Sequence, residues 1–247
     1  MIYIKSDKEI ELMRKPCQIV RDVLCLCEEK IKAGMTTKEL DKIAYDYIPS
    51  CGAKPSFLGY GGFPAATSIS IDEQVVHGFP SDRIIEEDQI VSVDVGAYFN
   101  GFHGDAARSL YVGHISPEKK KLIDVTRECF FEGIKGICIG SALGDIGAQV
   151  QEHAEKNGFS VVRDMVGHGV GRNLHEDPSV PNYGKLGTGV RLKAGTVLCI
   201  EPMIALGDWR VRILDDGWTA VTVDRKPAAH YENTVVVRED GVEILTL

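Results

Sequence analysis

The chain has 247 residues, 44% of them hydrophobic and 7% aromatic, which is enough for a sizeable core in one domain or in two fused halves that share a sheet. Its net charge of −8, from 28 Lys and Arg against 36 Asp and Glu, excludes a strongly electrostatic nucleic-acid partner, because phosphate binding needs a basic face. No run approaches roughly 18 apolar residues, and the charged N-terminus lacks the apolar segment of a signal peptide, so we expect a cytoplasmic protein without a membrane span.

Two helices are predicted at the start of the chain by capping boxes, in which a Ser or Thr and a Glu three residues later bond to each other's backbone. The first box, Ser6 to Glu9, opens a helix with apolar residues at three-and-four spacing. Gly34 ends it. The second box, Thr36 to Glu39, opens a shorter helix that ends near Pro49 and Gly52.

The seven cysteines include no CxxC pair. An odd number without a paired framework predicts reduced thiols, most of them in the core. Cys25 and Cys27 are spaced as half of a metal site would be, but the preferred interpretation is a helix in which Cys27 packs inward and Cys25 does not.

After a glycine-rich loop and a predicted hairpin (FLGYGGFP, TSISI, VVHGFP), two carboxylates interrupt apolar strands in VSVDVGAYFNGFHGDAARSL. Valines alternate with Asp94, and Asp105 lies in a similar setting after a predicted bend at Gly101 and Gly104. An ionised carboxylate there costs several kcal/mol unless it is paired or holds a metal. The alternative is that Asp94 is exposed and that Asp105 pairs with Arg108.

The second half of the chain begins with predicted helices and ends with short strands. Ser116 and Pro117 predict an N-cap and first helical position, and a further helix runs from about Leu143 to Lys156. The predicted strands are FSVV, TVLCIEPMIAL, WRVRIL, WTAVTV, ENTVVV and VEIL, separated by Gly, Pro and Asp turns.

The two halves show a weak internal similarity, which indicates either a duplication or coincidence. The matches 106 positions apart are Gly34 with Gly140, Gly52 with Gly158, Leu40 with Ile146, Ala44 with Val150, and Ile48 with Ala154. A duplication would make residues 1–247 one catalytic domain with halves at about 1–112 and 113–247. The expected fold is then α+β, a curved antiparallel sheet with helices on its outer side and ligands on its concave face.

Three more potential ligands lie in apolar or glycine-rich contexts: His168 in VGHGVG, Glu201 in VLCIEPMIAL and Glu232 in HYENTVVV. With Asp94 and Asp105 they make four carboxylates and one imidazole, a set that suits Mn, Fe(II), Co or Zn better than a thiolate site does. Four carboxylates can hold and bridge two ions about 3.5–4 Å apart, as in several classes of hydrolase. The residues therefore indicate a dinuclear hydrolase.

The order of these motifs resembles the type I methionine aminopeptidases over nearly the whole chain. The motifs are GFHGDAAR, GHGVGRNLHEDP, IEPM and YENT, together with VVHGFP around His77 and DGWT around Trp218. The resemblance implies the pita-bread fold, in which two related halves surround a site for two metal ions. It also implies removal of the initiator methionine from nascent chains whose second residue is small.

The resemblance also assigns the ligands. Asp94 would chelate one ion, Asp105 and Glu232 would bridge both ions, and His168 with Glu201 would complete the shell of the second ion. A water that bridges the ions would have its pKa lowered towards neutrality and become the nucleophile.

Three residues are assigned to catalysis by the same resemblance. Glu201 would take the proton of this water and pass it to the leaving amide nitrogen. His175 would donate to the carbonyl oxygen as charge develops there, and His77 would contact the peptide beyond the scissile bond. The alternative for each of these two histidines is an ordinary loop residue.

Selection of methionine needs an apolar pocket that fits an unbranched side chain and has soft or aromatic walls. The residues that fit are Tyr60, Phe63 and Trp218, and the resemblance adds Leu174 and Ser68. Phe57 and Ser68 depart from many relatives, which carry a smaller or sulfur-bearing side chain there. The alternative for FLGYGGF is a glycine-rich loop with aromatic anchors and no ligand.

Three other classes remain as alternatives. X-Pro aminopeptidases, prolidases and creatine hydrolases share the ligands but usually carry an extra N-terminal domain, whereas this chain begins its first helix within ten residues. Type II methionine aminopeptidases carry a helical insertion, whereas 32 residues separate His168 from Glu201. A non-catalytic binding protein on the same fold would have lost ligands, and all five are present.

The expected cofactors are two divalent ions, with Co, Mn, Fe and Zn all compatible with the donor set. The expected partners are the N-termini of nascent polypeptides, with transient ribosome association. We expect a monomer with no nucleic-acid specificity and no membrane contact.

Overall fold

The computed structural model describes all residues, 1–247, and contains four α-helices, one 3₁₀ turn and fifteen strands. The helices are α1 (Asp7–Lys30), α2 (Thr37–Ser50), α3 (Pro117–Ile134) and α4 (Leu143–Lys156), and the 3₁₀ turn is Tyr60–Gly62. The strands are β1 (Lys54–Pro55), β2 (Thr67–Ile71), β3 (Gln74–Val76), β4 (Val91–Phe99), β5 (Phe102–Leu110), β6 (Ser160–Val161), β7 (Gly167–Gly169), β8 (Glu176–Val180), β9 (Val197–Ile200), β10 (Met203–Ala205), β11 (Val211–Ile213), β12 (Ala220–Thr222), β13 (Ala228–His230), β14 (Glu232–Val237) and β15 (Val242–Ile244).

The two predicted capping boxes are both present. The amide of Glu9 donates to the Ser6 hydroxyl while the Glu9 carboxylate accepts from the Ser6 amide, and Thr36 and Glu39 make the same pair of bonds. Each box satisfies amides that the first helical turn leaves without an intrahelical partner. The second helix runs one residue past Pro49, which lies in its last turn.

The start of α3 is predicted correctly at Pro117, but the predicted cap differs. The Ser116 side chain makes no capping bond, and its amide instead donates to Asp88 Oδ1 at 2.7 Å. The next helix, α4, ends at Asn157 and Gly158 as predicted. None of the four helices has the length and apolarity that crossing a membrane requires.

The cysteines agree with the sequence interpretation, since all seven are free thiols. Cys27 is buried in α1 and Cys25 is exposed on the same helix.

A nine-stranded antiparallel sheet organises the fold. Its strands lie in the order β1-β4-β5-β14-β9-β7-β8, with β2 added to β4 and β15 to β14. Two three-stranded sheets, β13-β10-β6 and β11-β12-β3, complete the molecule. The architecture is therefore the α+β class that the sequence predicts.

Each pair of helices packs on its own part of the large sheet. The β4 valines that alternate with Asp94 form one core cluster with apolar residues of α1 and α2. A second cluster joins Phe130 of α3 and Ile146 of α4 to residues of β9 and β14, including Leu198 and Val235. Full burial of each such side chain contributes about 1.5–3 kcal/mol, so these two clusters hold the strands beneath the helices.

The internal duplication stays a prediction, and the helices support it. The second helix of each pair, α2 and α4, begins and ends at positions 106 residues apart. Gly34 and Gly140 precede them and Gly52 and Gly158 follow them, all with left-handed φ between 73° and 88°.

Several strands were not predicted, because they lack an alternating apolar pattern. They include β7, which reads GHG, and β8, which reads EDPSV. Their strand conformation comes from pairing with β9 and with each other, and strand propensity depends strongly on such context.

The predicted bend between β4 and β5 is only partly correct. Gly101 lies in the turn with φ +89°, but Gly104 is inside β5. A Cβ atom on Gly104 would lie 2.6 Å from the backbone nitrogen of Cys17 and 2.8 Å from its Cα. The glycine is there because α1 crosses β5 at backbone contact distance.

This close approach predicts that Gly104→Ala lowers the free energy of unfolding by about 1–3 kcal/mol, the usual cost of overpacking. Urea unfolding of the metal-free protein measures it. The control is Gly241→Ala, since an added Cβ there meets nothing within 4 Å. Equal midpoints for the two variants would contradict the argument.

Candidate active site

Five neighbouring strands bring the five predicted metal ligands together. Asp94 lies on β4, Asp105 on β5, Glu232 on β14 and His168 on β7, while Glu201 directly follows β9. These strands are adjacent in the order β4-β5-β14-β9-β7. Residues from both halves of the chain therefore meet across one sheet.

Strand register puts three of these carboxylates on the same face. Asp94 pairs with Ala107, and Ala107 pairs in turn with Glu232. Residues directly opposite each other in a sheet share a face, and so do residues two apart on one strand. Asp105 is two residues before Ala107, so it points to the same side as Asp94 and Glu232.

The imidazole of His168 faces two of the carboxylates. Its Nε2 lies 3.9 Å from Asp105 Oδ2 and 3.7 Å from Glu201 Oε1. Its Nδ1 lies 2.9 Å from the Gly169 carbonyl oxygen, which can only accept a hydrogen bond. The proton is therefore on Nδ1, and the Nε2 lone pair is directed at the carboxylates as metal ligation requires.

The carboxyl groups are strongly perturbed by burial. Burial, with the neighbouring carboxylates adding to it, raises the pKa values of Asp94, Asp105 and Glu232 well above their usual range. Burial alone raises the pKa of Glu201 to about 8, whereas burial together with the neighbouring His175 lowers the pKa of His168 to about 3. Such a cluster is stable in ionised form only with cations between its oxygens.

Three carboxylate oxygens give separate support for cations within this cluster. Asp94 Oδ1, Asp105 Oδ1 and Glu232 Oε1 are buried and make no hydrogen bond. Buried polar atoms in folded proteins nearly always have partners. Oxygen-rich donors with one imidazole nitrogen suit divalent ions, so the residues present fit a divalent metal.

The alternative pairing of Asp105 with Arg108 is wrong. The Arg108 guanidinium donates to the carbonyl oxygens of Ala107 and Glu232 and to the side chain of Asn233. Arg108 therefore stabilises the backbone at Glu232 and does not pair with the Asp105 carboxylate.

The perturbed groups predict how the metal-free protein responds to pH. The unfolded chain releases the Glu201 proton near pH 4.5, whereas the folded protein holds it until about pH 8. Above about pH 7.5 His168 and the other histidines whose pKa burial lowers are almost fully deprotonated in both states, because their unfolded pKa is 6.5. The folded state then binds more protons, so its stability falls as pH rises from about 7.5 to 8.5.

Urea unfolding of the metal-free protein at the two pH values measures this fall. We expect a lower midpoint at pH 8.5 than at pH 7.5. Glu201→Gln removes one contributing group, so it should reduce the difference. If the urea midpoints of Glu201→Gln differ between the two pH values as much as those of wild type do, the raised pKa of Glu201 is contradicted.

All twelve predicted site residues line one cavity, together with Phe57. The lining is Phe57, Tyr60, Phe63, Ser68, His77, Asp94, Asp105, His168, Leu174, His175, Glu201, Trp218 and Glu232. The structure thus brings the predicted metal ligands, the two further histidines and the predicted pocket residues into a single site. Their individual roles stay predictions.

The two further histidines are held beside the carboxylates. The His175 ring packs on the His168 ring at 4.2 Å between centroids, and its Nδ1 is 2.9 Å from the Tyr60 hydroxyl. His77 has left-handed φ of 61°, and burial lowers its pKa to about 4. Burial also lowers the pKa of His175 below its usual value, so both rings are neutral at pH 7, and both line the cavity.

Aromatic rings form the apolar side of the cavity. The Phe63 ring is 5.3 Å from Trp218, 5.1 Å from Phe79 and 6.4 Å from Phe57, all edge to face. Gly61 lies against Trp218, where a Cβ would be 3.1 Å from the indole. The glycine-rich loop thus lines the cavity with its aromatic residues.

One buried histidine of this region was not predicted from the sequence to belong to the site. His230 is 1% exposed, and its Nε2 lies 3.6 Å from Glu201 Oε2 and 3.9 Å from Glu232 Oε2. The signal was its position two residues before Glu232, which in extended backbone points both side chains the same way.

An antiparallel sheet here gathers carboxylates and an imidazole at one cavity, which is the donor set of a metal-dependent hydrolase. The model of metallopeptidase family M24 matches residues 11–239, so the chain belongs to that family, and the family binds divalent metal. A prolidase from Pyrococcus furiosus has the same fold, with a TM-score of 0.79 and 25% identity over 99% of this chain and 65% of that one.

Proteins of higher sequence identity show to which group within this family the chain belongs. A methionine aminopeptidase of Clostridium perfringens (strain 13 / Type A) is 53% identical over 247 residues, 100% of this chain and 99% of the relative. A crystal structure of methionine aminopeptidase from Thermotoga maritima has a TM-score of 0.98 at 48% identity, over 100% of this chain and 99% of that one. Within family M24 the chain belongs to the methionine aminopeptidases, and the predicted pita-bread fold is confirmed.

Proposed function

We propose that this enzyme removes the N-terminal methionine from nascent proteins and peptides whose second residue is small, and that it is of type I. The observation that carries the proposal is the convergence of five ligand side chains from five adjacent strands beside an aromatic pocket. The substrate class places the enzyme in the cytoplasm, where nascent chains emerge.

The ligand assignment is the one that the resemblance implies, and the convergence of the five side chains on one cavity supports it. Asp94 would hold one ion, Asp105 and Glu232 would bridge two ions, and His168 with Glu201 would complete the coordination of the second ion. Two divalent ions, each Co, Mn, Fe or Zn, would supply a water of lowered pKa and polarise the scissile carbonyl.

Glu201 is the proposed proton carrier. Its Oε1 lies 3.7 Å from His168 Nε2, and it would take a proton from the attacking water and deliver it to the leaving amide nitrogen.

The two neutral histidines position the substrate. His175 Nδ1 is engaged by the Tyr60 hydroxyl, which leaves Nε2–H to donate to the carbonyl oxygen as negative charge develops there. His77, next to Trp218 with 6.4 Å between ring centroids, contacts the peptide beyond the scissile bond.

The aromatic side of the cavity selects methionine. Phe63, Trp218 and Tyr60 offer ring edges and faces that attract a thioether, and Leu174 adds an aliphatic wall. Ser68 and Phe57 also line this cavity, so they shape the pocket.

Tyr60 has two roles here, and Tyr60→Phe separates them. The variant keeps the aromatic wall but loses the hydroxyl bonded to His175. Loss of one hydrogen bond, worth about 0.5–1.5 kcal/mol, predicts a kcat lowered by about 3- to 10-fold with KM nearly unchanged. Tyr45→Phe on exposed α2 surface is the matched control, and a raised KM with normal kcat would leave Tyr60 as a wall only.

One experiment tests the proposed function against its alternatives. The purified enzyme is analysed for bound metal and assayed on Met-Ala-Ser and on an Ala-Pro peptide. We expect two ions per chain and release of methionine. Cleavage of the Ala-Pro peptide instead would indicate an X-Pro aminopeptidase or prolidase-like hydrolase, and metal-free protein without activity would indicate a binding protein.

A further inference from the structure

The imidazole of His230 is a buried polar group that the proposed mechanism does not use. Neither of its ring nitrogens has a hydrogen-bond partner. Its Nε2 lies near two of the proposed metal ligands, 3.6 Å from Glu201 Oε2 and 3.9 Å from Glu232 Oε2. A buried donor without a partner costs about 1–3 kcal/mol, so this arrangement needs an explanation.

Glu201 lies between two imidazoles, one for each of its oxygens. Oε1 is 3.7 Å from His168 Nε2, and Oε2 is 3.6 Å from His230 Nε2. The two histidines differ in access, because His168 lines the cavity and His230 does not. His230 therefore reaches the carboxylate from the side that faces away from the substrate.

The position of the His230 ring is set by its backbone. Its amide donates to the Ser109 hydroxyl at 2.9 Å, and the same hydroxyl donates to its carbonyl oxygen at 3.0 Å. The residue also pairs with Met203 across β13 and β10. These bonds tie His230 to β5 on one side and β10 on the other, so the ring is a fixed support.

We propose that His230 is a positioning residue whose Nε2–H donates a hydrogen bond to Glu201 Oε2 in the metal-loaded enzyme. The inference rests on the proposed function, because Glu201 is there both ligand and proton carrier. Closing the 3.6 Å separation by about 0.5 Å gives a normal hydrogen bond. The bond would turn Oε1 towards His168 and the cavity, as partners of ligating carboxylates commonly do.

Metal binding without substrate tests this role. Co²⁺ is titrated calorimetrically into metal-free wild type, His230→Leu, His230→Gln and the control His153→Leu, whose histidine lies on α4 beside Glu128. We expect His230→Leu to bind the same number of ions about 10- to 100-fold more weakly. His230→Gln should restore affinity, since its amide donates a hydrogen bond but is a poor metal ligand, and the control should bind as wild type does.

Two results would overturn the proposal. Unchanged affinity in His230→Leu would show that the contact does not support Glu201, and loss of one whole ion in both His230 variants would show direct ligation. If His230→Leu does not fold, X-ray absorption of the Co²⁺-loaded wild type decides, because positioning predicts one imidazole per two ions and ligation predicts two. None of these readouts needs peptide hydrolysis, so failure to cleave Met-Ala-Ser would overturn the proposed function alone.

Discussion

Asp105→Asn is expected to abolish methionine release, with kcat/KM lowered on the order of 10³-fold or more, together with loss of bound metal. Asp105 is 3% exposed, and its Oδ1 has no partner. In our assignment it would bridge both ions, so replacing the carboxylate by an amide removes the one negative charge that both ions would share. Metal analysis of the purified variant and hydrolysis of Met-Ala-Ser measure the two effects.

A stability measurement separates this site defect from unfolding. Burial and the charges of Glu232 and Asp94 raise the pKa of Asp105 in the metal-free protein, so a neutral residue relieves repulsion there. Metal-free Asp105→Asn should unfold at the same or a higher temperature than wild type. Asp124→Asn, on the exposed face of α3, is the matched control, and near-normal turnover in Asp105→Asn would refute the bridging role.

His175→Ala is expected to retain both ions and lose on the order of 10²-fold or more in kcat, as removal of an oxyanion donor does. The ring packs on His168 but makes its one hydrogen bond to Tyr60. In our proposal this ring acts on the substrate carbonyl and is not a metal ligand. Steady-state kinetics and metal analysis on the same preparation give both numbers.

A double variant sharpens this prediction. If Tyr60 acts on catalysis only through His175, then Tyr60→Phe should lower kcat in the wild type and have almost no further effect in His175→Ala, as expected for residues that act as a unit. A large drop in metal content in His175→Ala would instead identify His175 as a ligand.

Local sequence patterns predicted the helices and central strands well, because their causes are local. Capping boxes at Ser6 and Thr36 act within one turn, and the alternation of valines with Asp94 in β4 repeats every two residues. The glycine-rich β7 and the polar β8 have no such pattern and become strands only by pairing with neighbours.

The sequence predicted the ligands of the candidate site but not all of the residues that support them. The types of ligand and their apolar contexts indicated a metal hydrolase, and the family motifs supplied roles for histidines such as His175. His230 was missed, because no motif marks it and its importance comes from lying 3.6 Å from Glu201, a residue 29 positions earlier in the chain. The hydroxyl of Tyr60 was read only as part of an aromatic wall.

By itself the sequence determined the donor set, its chemistry and the elements that carry it, since side-chain type and strand alternation are properties of short segments. Only the tertiary structure decided the strand order β4-β5-β14-β9-β7. Hydrogen bonds between strands join segments far apart in the chain, and which strands pair depends on how the helices cover the sheet. That order turns four separate carboxylates and one imidazole into a single site and places His230 behind it.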